Sequence, residues 1–146
     1  MSDPDSALDR LRQGYSCSQA VFSVLAEPLG IDTGTAFRIA AGFGGGIARS
    51  AHTCGCVTGA IMALGLRQRD VSPEGNTSAK ANTGELARRM MHQFVERNGS
   101  TECRVLLGCD ISTPEGYEEA QRRDLFRLHC VKLVNDAVEI VNRLAD

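Results

Sequence analysis

Apolar residues recur at helical spacing along most of this chain. After Cys17, apolar residues follow at i+4, i+7 and i+8, so this cysteine heads the apolar stripe of a helix predicted over 17–27. Between residues 83 and 97, apolar positions face one side and charged positions face the other, as in an amphipathic helix. Residues 54–66 have almost no polar face, which is typical of a central helix surrounded by others. Since nothing alternates like a strand for more than a few residues, the pattern predicts an all-α fold.

Capping residues, glycines and prolines place the helix boundaries. The predicted helical segments are 1–14, closed by Gly14; 17–27, capped by Ser16 and broken by Pro28; a segment capped by Asp32 or Thr33 that runs to Ala41; 54–66; 83–97; a short segment behind Ser100 or Thr101; and a stretch opened by Thr113 whose last part is 124–144. The polar run 67–81 predicts a long flexible loop. We therefore expect residues 1–146 to form a single-domain helical bundle of about five to seven helices.

Composition and charge exclude several classes of function. Sixteen basic against eighteen acidic residues give a net charge of −2, which is too balanced for capture of a nucleic-acid backbone. With two Tyr, five Phe and no Trp, a base-stacking platform is not expected either. The polar N-terminus has no secretory signal, and the longest nearly apolar stretch, 54–66, is too short to span a bilayer. We expect a cytoplasmic protein without membrane insertion.

The six cysteines are the main chemical candidates. In a reducing compartment, clustered cysteines indicate redox chemistry or metal binding more often than structural cross-links. Cys17, Cys54 and Cys103 each fall in or just before the first turn of a predicted helix. A helix N-terminus stabilises a thiolate and lowers its pKa, and the thiolate is the form that attacks disulfides and ligates metals. Cys130 lies on the buried stripe of the last helix, so we expect folding to drive these four sulfurs inward.

Glycines and histidines provide weaker candidates. The run 42–46 lacks the lysine of a phosphate loop and the preceding strand of a dinucleotide site, which favours a tight connection between helices. As an alternative to that connection, the backbone N–H groups of this run could approach a ligand or cluster.

His52, Cys54 and Cys56 place three soft donors within five residues. If that stretch is extended, two of them could converge on zinc or iron; if it is helical, the two cysteines point to nearly opposite sides. His92 has charged neighbours on its helix and is expected at the surface.

The order of these motifs resembles that of a known family. The residues that carry the resemblance are 17–21, 44–46, 54–59, 103–108 and Cys130. Together they are similar to the C_GCAxxG_C_C proteins, small proteins of about this length described as redox-active. The resemblance implies that the family cysteines are Cys17, Cys54, Cys103 and Cys130, with Gly55 and Gly59 as motif glycines. Cys56 stands where the family motif has alanine, and Cys109 lies outside the four; we expect Cys109 to be auxiliary.

Three functions follow from these candidates and remain open. The four cysteines could exchange electrons as thiol and disulfide pairs, which would make the protein a thiol-based oxidoreductase. They could instead ligate an iron–sulfur cluster or a transition metal in an electron carrier or sensor, with Cys56 and His52 as further ligands. In the third reading, the chain is a helical interaction module with passive core thiols. We predict that the four cysteines converge on one site, near backbone contributed by Gly44, Gly45, Gly46, Gly55 and Gly59. The partners that these functions imply are an unidentified redox protein and, in a homodimer, a second copy of the chain.

Overall fold

Polar side chains mark where the helices begin. Backbone N–H groups of the first turn donate hydrogen bonds to the side chains of the N-cap residues Asp3, Ser16, Asp32 and Thr113. At Ser16 the cap is reciprocal, because the Gln19 side chain accepts from the Ser16 backbone N–H. These caps fix the entry of the chain into the helix that carries Cys17.

The computed structural model describes residues 1–144. These residues form α1 (Pro4–Arg12), α2 (Cys17–Ala26), α3 (Thr33–Ala40), α4 (Gly55–Leu66), α5 (Asn76–Asn98), α6 (Cys103–Leu107), α7 (Pro114–Arg122) and α8 (Leu125–Arg143), with 3-10 turns at Glu27–Leu29 and Ala41–Phe43. No strand occurs within them, and a single antiparallel bridge joins Thr53 to Glu102. The predicted all-α single domain is confirmed.

The described part has eight α-helices, where the sequence predicted five to seven. Asp124 takes a left-handed conformation (φ 55°) and divides the C-terminal helical stretch into α7 and α8. The predicted loop over 67–81 is also shorter than expected, because α5 already begins at Asn76. Ala79 is buried in the first turns of α5, and this tertiary contact holds a polar segment in the helix.

Two apolar clusters make up the interior. The larger one is centred on α2 and α4, which pack against each other, with α5 and α8 around them. The smaller one lies under α6, α7 and the start of α8; its buried members are Ala51, Cys103, Leu107, Cys109, Ile111, Ala120 and Leu125. Cys54 and Cys56 belong to the larger cluster, and Cys103 belongs to the smaller one. The cysteines therefore lie on both sides of the junction between the clusters.

Within residues 1–144, no helix is long and apolar enough to cross a membrane.

Candidate functional site

A cavity of about 1220 Å3 is lined by residues of both apolar clusters. Four cysteines line it, namely Cys17, Cys54, Cys103 and Cys130. Gly44, Gly45 and Gly55 also contribute to its wall. The structure thus brings these four cysteines, which the resemblance singled out, to one cavity, called the central cavity below.

Three cysteine sulfurs lie close together, and two of these cysteines, Cys17 and Cys54, line this cavity. The Sγ atoms of Cys17, Cys54 and Cys56 all lie within 4.8 Å of one another. Cys17 is the first residue of α2, Cys54 is the N-cap of α4, and Cys56 is the second residue of α4. All three are free thiols, as are the other three cysteines. We call these three residues the cysteine cluster.

Helices α2 and α4 begin side by side because two glycines remove the atoms that would separate them. A Cβ atom on Gly55 would lie 2.8 Å from Cys17 Sγ and 3.0 Å from the Ser18 backbone nitrogen. One turn later, a Cβ on Gly59 would lie 3.0 Å from the Ser18 carbonyl oxygen. Real Cβ atoms essentially never approach another atom to 2.8 Å, so a side chain at Gly55 would force a shift in the site. The 3.0 Å contact at Gly59 is tighter than nine in ten real Cβ contacts, so glycine favours the observed packing there too. Gly59 acts through this packing and does not line the central cavity.

The Cys17 sulfur is surrounded by hydrogen-bond donors. The S–H groups of Cys54 and Cys56 donate to it, and so do the backbone N–H groups of Ser18 and Gly55. These donors outweigh the cost of burial and hold the pKa of the Cys17 thiol well below its ordinary value. The N-termini of α2 and α4 both supply an N–H group, which is the environment expected of a reactive thiolate. Cys17 is partly buried, and it faces the central cavity.

The other cysteines of the site are held as neutral thiols. The Cys54 S–H donates to Cys17, and this hydrogen bond raises the pKa of Cys54 well above its ordinary value. Burial raises the pKa of Cys56 and brings the pKa of Cys103 to about 12. Burial likewise raises the pKa of Cys130.

A shared position at a helix start therefore does not give Cys17, Cys54 and Cys103 a shared thiolate character, contrary to the sequence argument. Neighbouring sulfurs in a poorly solvated site cannot all be charged. Deprotonation of one thiol is therefore favoured, and the S–H groups of its neighbours donate hydrogen bonds to it. Helix α6, which Cys103 begins, has five residues, and its weak dipole does not offset burial.

The connection from α3 to α4 winds in a left-handed sense beside the site. Positive φ angles at Gly45 and Gly46 continue through Ile47, Ala48 and Arg49 and recur at Ala51. Gly46 fits closely, since a Cβ there would lie 2.6 Å from the His52 nitrogen and 2.8 Å from the Cβ of Cys103. Non-glycine residues seldom take this conformation, so tertiary contacts must hold it.

Backbone pairing fixes the end of this connection. The Cys54 N–H donates to the Thr101 carbonyl at 2.8 Å, and the Cys103 N–H donates to the His52 carbonyl at 2.6 Å. The Arg104 side chain adds a hydrogen bond to the Ala51 carbonyl at 3.2 Å. As a result, the segments before α4 and α6 are joined, and Cys54 and Cys103 enter the central cavity from adjacent backbones.

The remaining candidates lie apart from the cysteine cluster. His52 is exposed and does not line the central cavity, so it is not grouped with the cysteines as the alternative metal set supposed. Cys109 is buried, and its S–H donates to the Gly116 carbonyl at 3.0 Å, outside the cavity wall. His92 is exposed, with Nε2 2.8 Å from a Glu96 carboxylate oxygen. Cys56, by contrast, joins Cys17 and Cys54, because Cys54 precedes the helix instead of lying in it.

The cavity wall also carries side chains that the sequence did not single out. The Arg49 guanidinium lies 3.6 Å from the centroid of the Tyr117 ring. Tyr117 packs against Phe126 with ring centroids 5.8 Å apart, and all three residues line the central cavity. No spacing in the sequence connects Arg49 with α7, since only the left-handed connection brings them together.

Comparison with known proteins identifies the family of this chain. Residues 15–144 match the family described as "Putative redox-active protein (C_GCAxxG_C_C)", and the chain belongs to this family. A protein of Archaeoglobus fulgidus, named "Uncharacterized protein", is 32% identical over 145 residues, covering 92% of this chain and 87% of its own length. No solved structure matches the chain. The cysteine cluster of this family member has the donor atoms needed to hold a metal ion.

Proposed function

We propose that the protein exchanges electrons through thiols and disulfides, with Cys17 as the attacking sulfur. The observation that supports this most directly is the cysteine cluster at the wall of the central cavity. There, one sulfur receives hydrogen bonds from two neighbouring thiols and two helix N-termini. Such surroundings favour a thiolate that is ready to react and that has a second thiol within reach.

The first step is attack by the Cys17 thiolate on one sulfur of a partner disulfide. The bond from Cys17 to that sulfur forms as the partner's own S–S bond breaks, and the other partner sulfur leaves as a thiolate. Cys17 loses its negative charge in this step. The charge and the hydrogen bond of Cys17 are the causes that raise the pKa of Cys54 from that side, and both disappear in the mixed disulfide. Cys54 is then easier to deprotonate.

The second step resolves the mixed disulfide. Cys54 or Cys56 gives up its proton and attacks the Cys17 sulfur, which releases the second partner thiolate and leaves a disulfide within the cysteine cluster. Two electrons pass from two protein thiols to the partner disulfide, which becomes two thiols. The 4.8 Å limit on the sulfur separations means that little movement is needed before this bond can form.

Cys103 and Cys130 take a supporting part in this proposal. Both sulfurs face the same cavity, and burial keeps both as neutral thiols. In a later thiol–disulfide exchange they can reduce the disulfide of the cysteine cluster and become oxidised themselves. The initial attack does not require them.

Metal binding is the second candidate function, and the composition of the cysteine cluster favours it. Three sulfurs within 4.8 Å of one another, with Cys103 and Cys130 on the same cavity, supply the all-sulfur ligands that zinc and iron–sulfur clusters take. The bound group would then set the redox behaviour in place of a disulfide. Metal and acid-labile sulfide analysis of protein purified without oxygen separates the two functions.

The test of the proposed function uses reduced, metal-free full-length protein and the neutral probe hydroxyethyl disulfide. We expect about two equivalents of 2-mercaptoethanol to be released per chain, as the two-electron balance requires. Cys17→Ser should abolish rapid release, whereas Cys109→Ser is the matched control and should retain it. Unchanged release from Cys17→Ser would refute the assignment of the attacking sulfur.

A further inference from the structure

Arg49 presents a cation to the central cavity without a carboxylate partner. It lines the cavity wall, and its guanidinium is held over the ring of Tyr117 at 3.6 Å. Across residues 1–144, no carboxylate lies within ion-pair distance of it. A guanidinium stacked on an aromatic ring keeps the N–H groups at its edge for a planar anion such as a carboxylate.

The other charged groups of the wall already form pairs. Arg12 lies 3.1 Å from Asp9, and Arg127 lies 2.5 Å from Asp124. Among residues 1–144, Asp124 is the single carboxylate side chain on the wall, against three arginines. The cavity therefore favours an anionic ligand, and Arg49 is the wall cation whose charge is left for it.

The size of the cavity argues for a ligand larger than an ion. Its volume of about 1220 Å3 exceeds the range of about 300–1,000 Å3 usual for small-molecule sites. Tyr117 and Phe126 give the cavity an aromatic surface, and Cys17 and Cys54 line the same cavity. A ligand of peptide size could contact Arg49 and a cysteine sulfur at the same time.

We propose that the central cavity binds a low-molecular-weight disulfide of peptide size that carries carboxylates, with Arg49 binding one carboxylate. The inference rests on the proposed thiol function and names its substrate class. Cys17 attacks one sulfur of the bound disulfide and releases the other half as a thiol. Attack by Cys54 or Cys56 on the Cys17 sulfur then releases the second half. The ligand gains two electrons and the protein gains one disulfide, so no further oxidant is needed.

The test compares three disulfide probes of different charge on the reduced full-length protein. Glutathione disulfide is anionic and of peptide size, hydroxyethyl disulfide is neutral, and cystamine is cationic. Each rate of thiol release is divided by the rate of the same probe with dithiothreitol, which removes intrinsic differences between leaving groups. We expect the normalised rate to be highest for glutathione disulfide at low salt, and we expect this advantage to shrink as salt rises.

The Arg49→Gln variant tests the assigned residue. It should slow the reaction with glutathione disulfide by about fivefold and leave hydroxyethyl disulfide unchanged. Arg89→Gln, at an exposed position of α5 outside the cavity wall, is the matched control and should change neither rate. Equal normalised rates for all three probes would overturn the substrate class, and an Arg49→Gln variant that keeps the full preference would overturn the assignment of Arg49; neither result would touch the thiol function. Absence of reaction with every probe would refute the proposed function itself.

Discussion

A Cβ atom on Gly55 would lie 2.8 Å from the Sγ of Cys17, although 38 positions separate the two residues in the chain. The missing side chain lets the first turn of α4 stand against the first turn of α2, so that the Gly55 N–H donates to the Cys17 sulfur. The glycine of the Cys-Gly motif is thus part of the thiolate environment. Its role is close approach, since this helical position has no positive φ angle.

Gly55→Ala should destabilise the protein and disturb the site. The added methyl group meets Cys17 Sγ and the backbone of Ser18, and we expect a loss of about 1–3 kcal/mol in the free energy of unfolding. Alanine's higher helix propensity, worth about 1 kcal/mol, opposes this loss only in part. Chemical denaturation measures the change, and the reactivity of Cys17 should fall with it.

Gly65→Ala is the matched control in the same helix. A Cβ there would meet only Thr83 Cγ2, at an ordinary 3.6 Å. We expect unchanged or slightly increased stability, by up to about 1 kcal/mol. If both alanine variants behaved alike, close packing at Gly55 would not be the reason for the glycine.

Cys17 should titrate at a lower pH than an ordinary cysteine. Its pKa is lowered, so thiolate absorbance at 240 nm should persist below about pH 8.5, the value of a free thiol. Cys17→Ser should remove this absorbance. A wild-type titration that begins only near the free-thiol value would contradict the hydrogen-bond arrangement described above.

Removal of one donor should weaken the thiolate. Cys54→Ala deletes the hydrogen bond that lowers the Cys17 pKa most, and we expect that pKa to rise toward the value of an ordinary cysteine. Cys54→Ser keeps a donor in the same place and should give a smaller rise. If the two variants titrated alike, the S–H group of Cys54 would not be the cause of the low pKa.

Asp136 should stabilise the fold in a pH-dependent way. It is 6% exposed, and its carboxylate lies 2.6 Å from Lys132 Nζ and 3.2 Å from Arg97. Burial raises the pKa of this carboxyl, but hydrogen bonds led by that from Lys132 outweigh burial and hold the pKa below its ordinary value. A lowered carboxyl pKa gives stability that is present above about pH 4 and is lost as the pH falls through the folded value.

Asp136→Asn should therefore lower the free energy of unfolding at neutral pH by about 1–3 kcal/mol. It should also flatten the loss of stability below about pH 4. Glu85→Gln, which removes an exposed i,i+3 pair with Arg88, should change little. Denaturation curves recorded at several pH values give both comparisons, and equal effects of the two substitutions would argue against a structural role for Asp136.

Local signals made much of the fold predictable from the sequence. Ser16 and Pro28 bracket α2, whose observed bounds Cys17–Ala26 differ from the predicted ones by one residue. The start of α5 was harder to predict, because residues 76–81 are mostly polar and the burial of Ala79 is a tertiary contact that local patterns do not show. Local composition reports capping and periodicity, but it does not report tertiary contacts of this kind.

The sequence predicted which cysteines lie near one another better than it predicted their chemistry. Helix starts and apolar stripes pointed to the cysteines that now line one cavity. The participation of Cys56 depended on whether Cys54 lies inside or before the helix, a difference of one residue that patterns do not resolve. The lowered pKa of Cys17 is a property of the group of sulfurs, since it depends on which sulfur the neighbouring thiols donate to.

The central claim is that Cys17 reacts first and ends in a disulfide with Cys54 or Cys56. Peptide mapping by mass spectrometry tests it, since trypsin places Cys17 in 13–38, Cys54 and Cys56 together in 50–67, Cys103 in 98–104 and Cys130 in 128–132. After brief oxidation of the reduced, metal-free protein with hydroxyethyl disulfide, we expect the first cross-link to join 13–38 to 50–67. A first cross-link that joins 98–104 to 128–132, with Cys17 still reduced, would contradict the account.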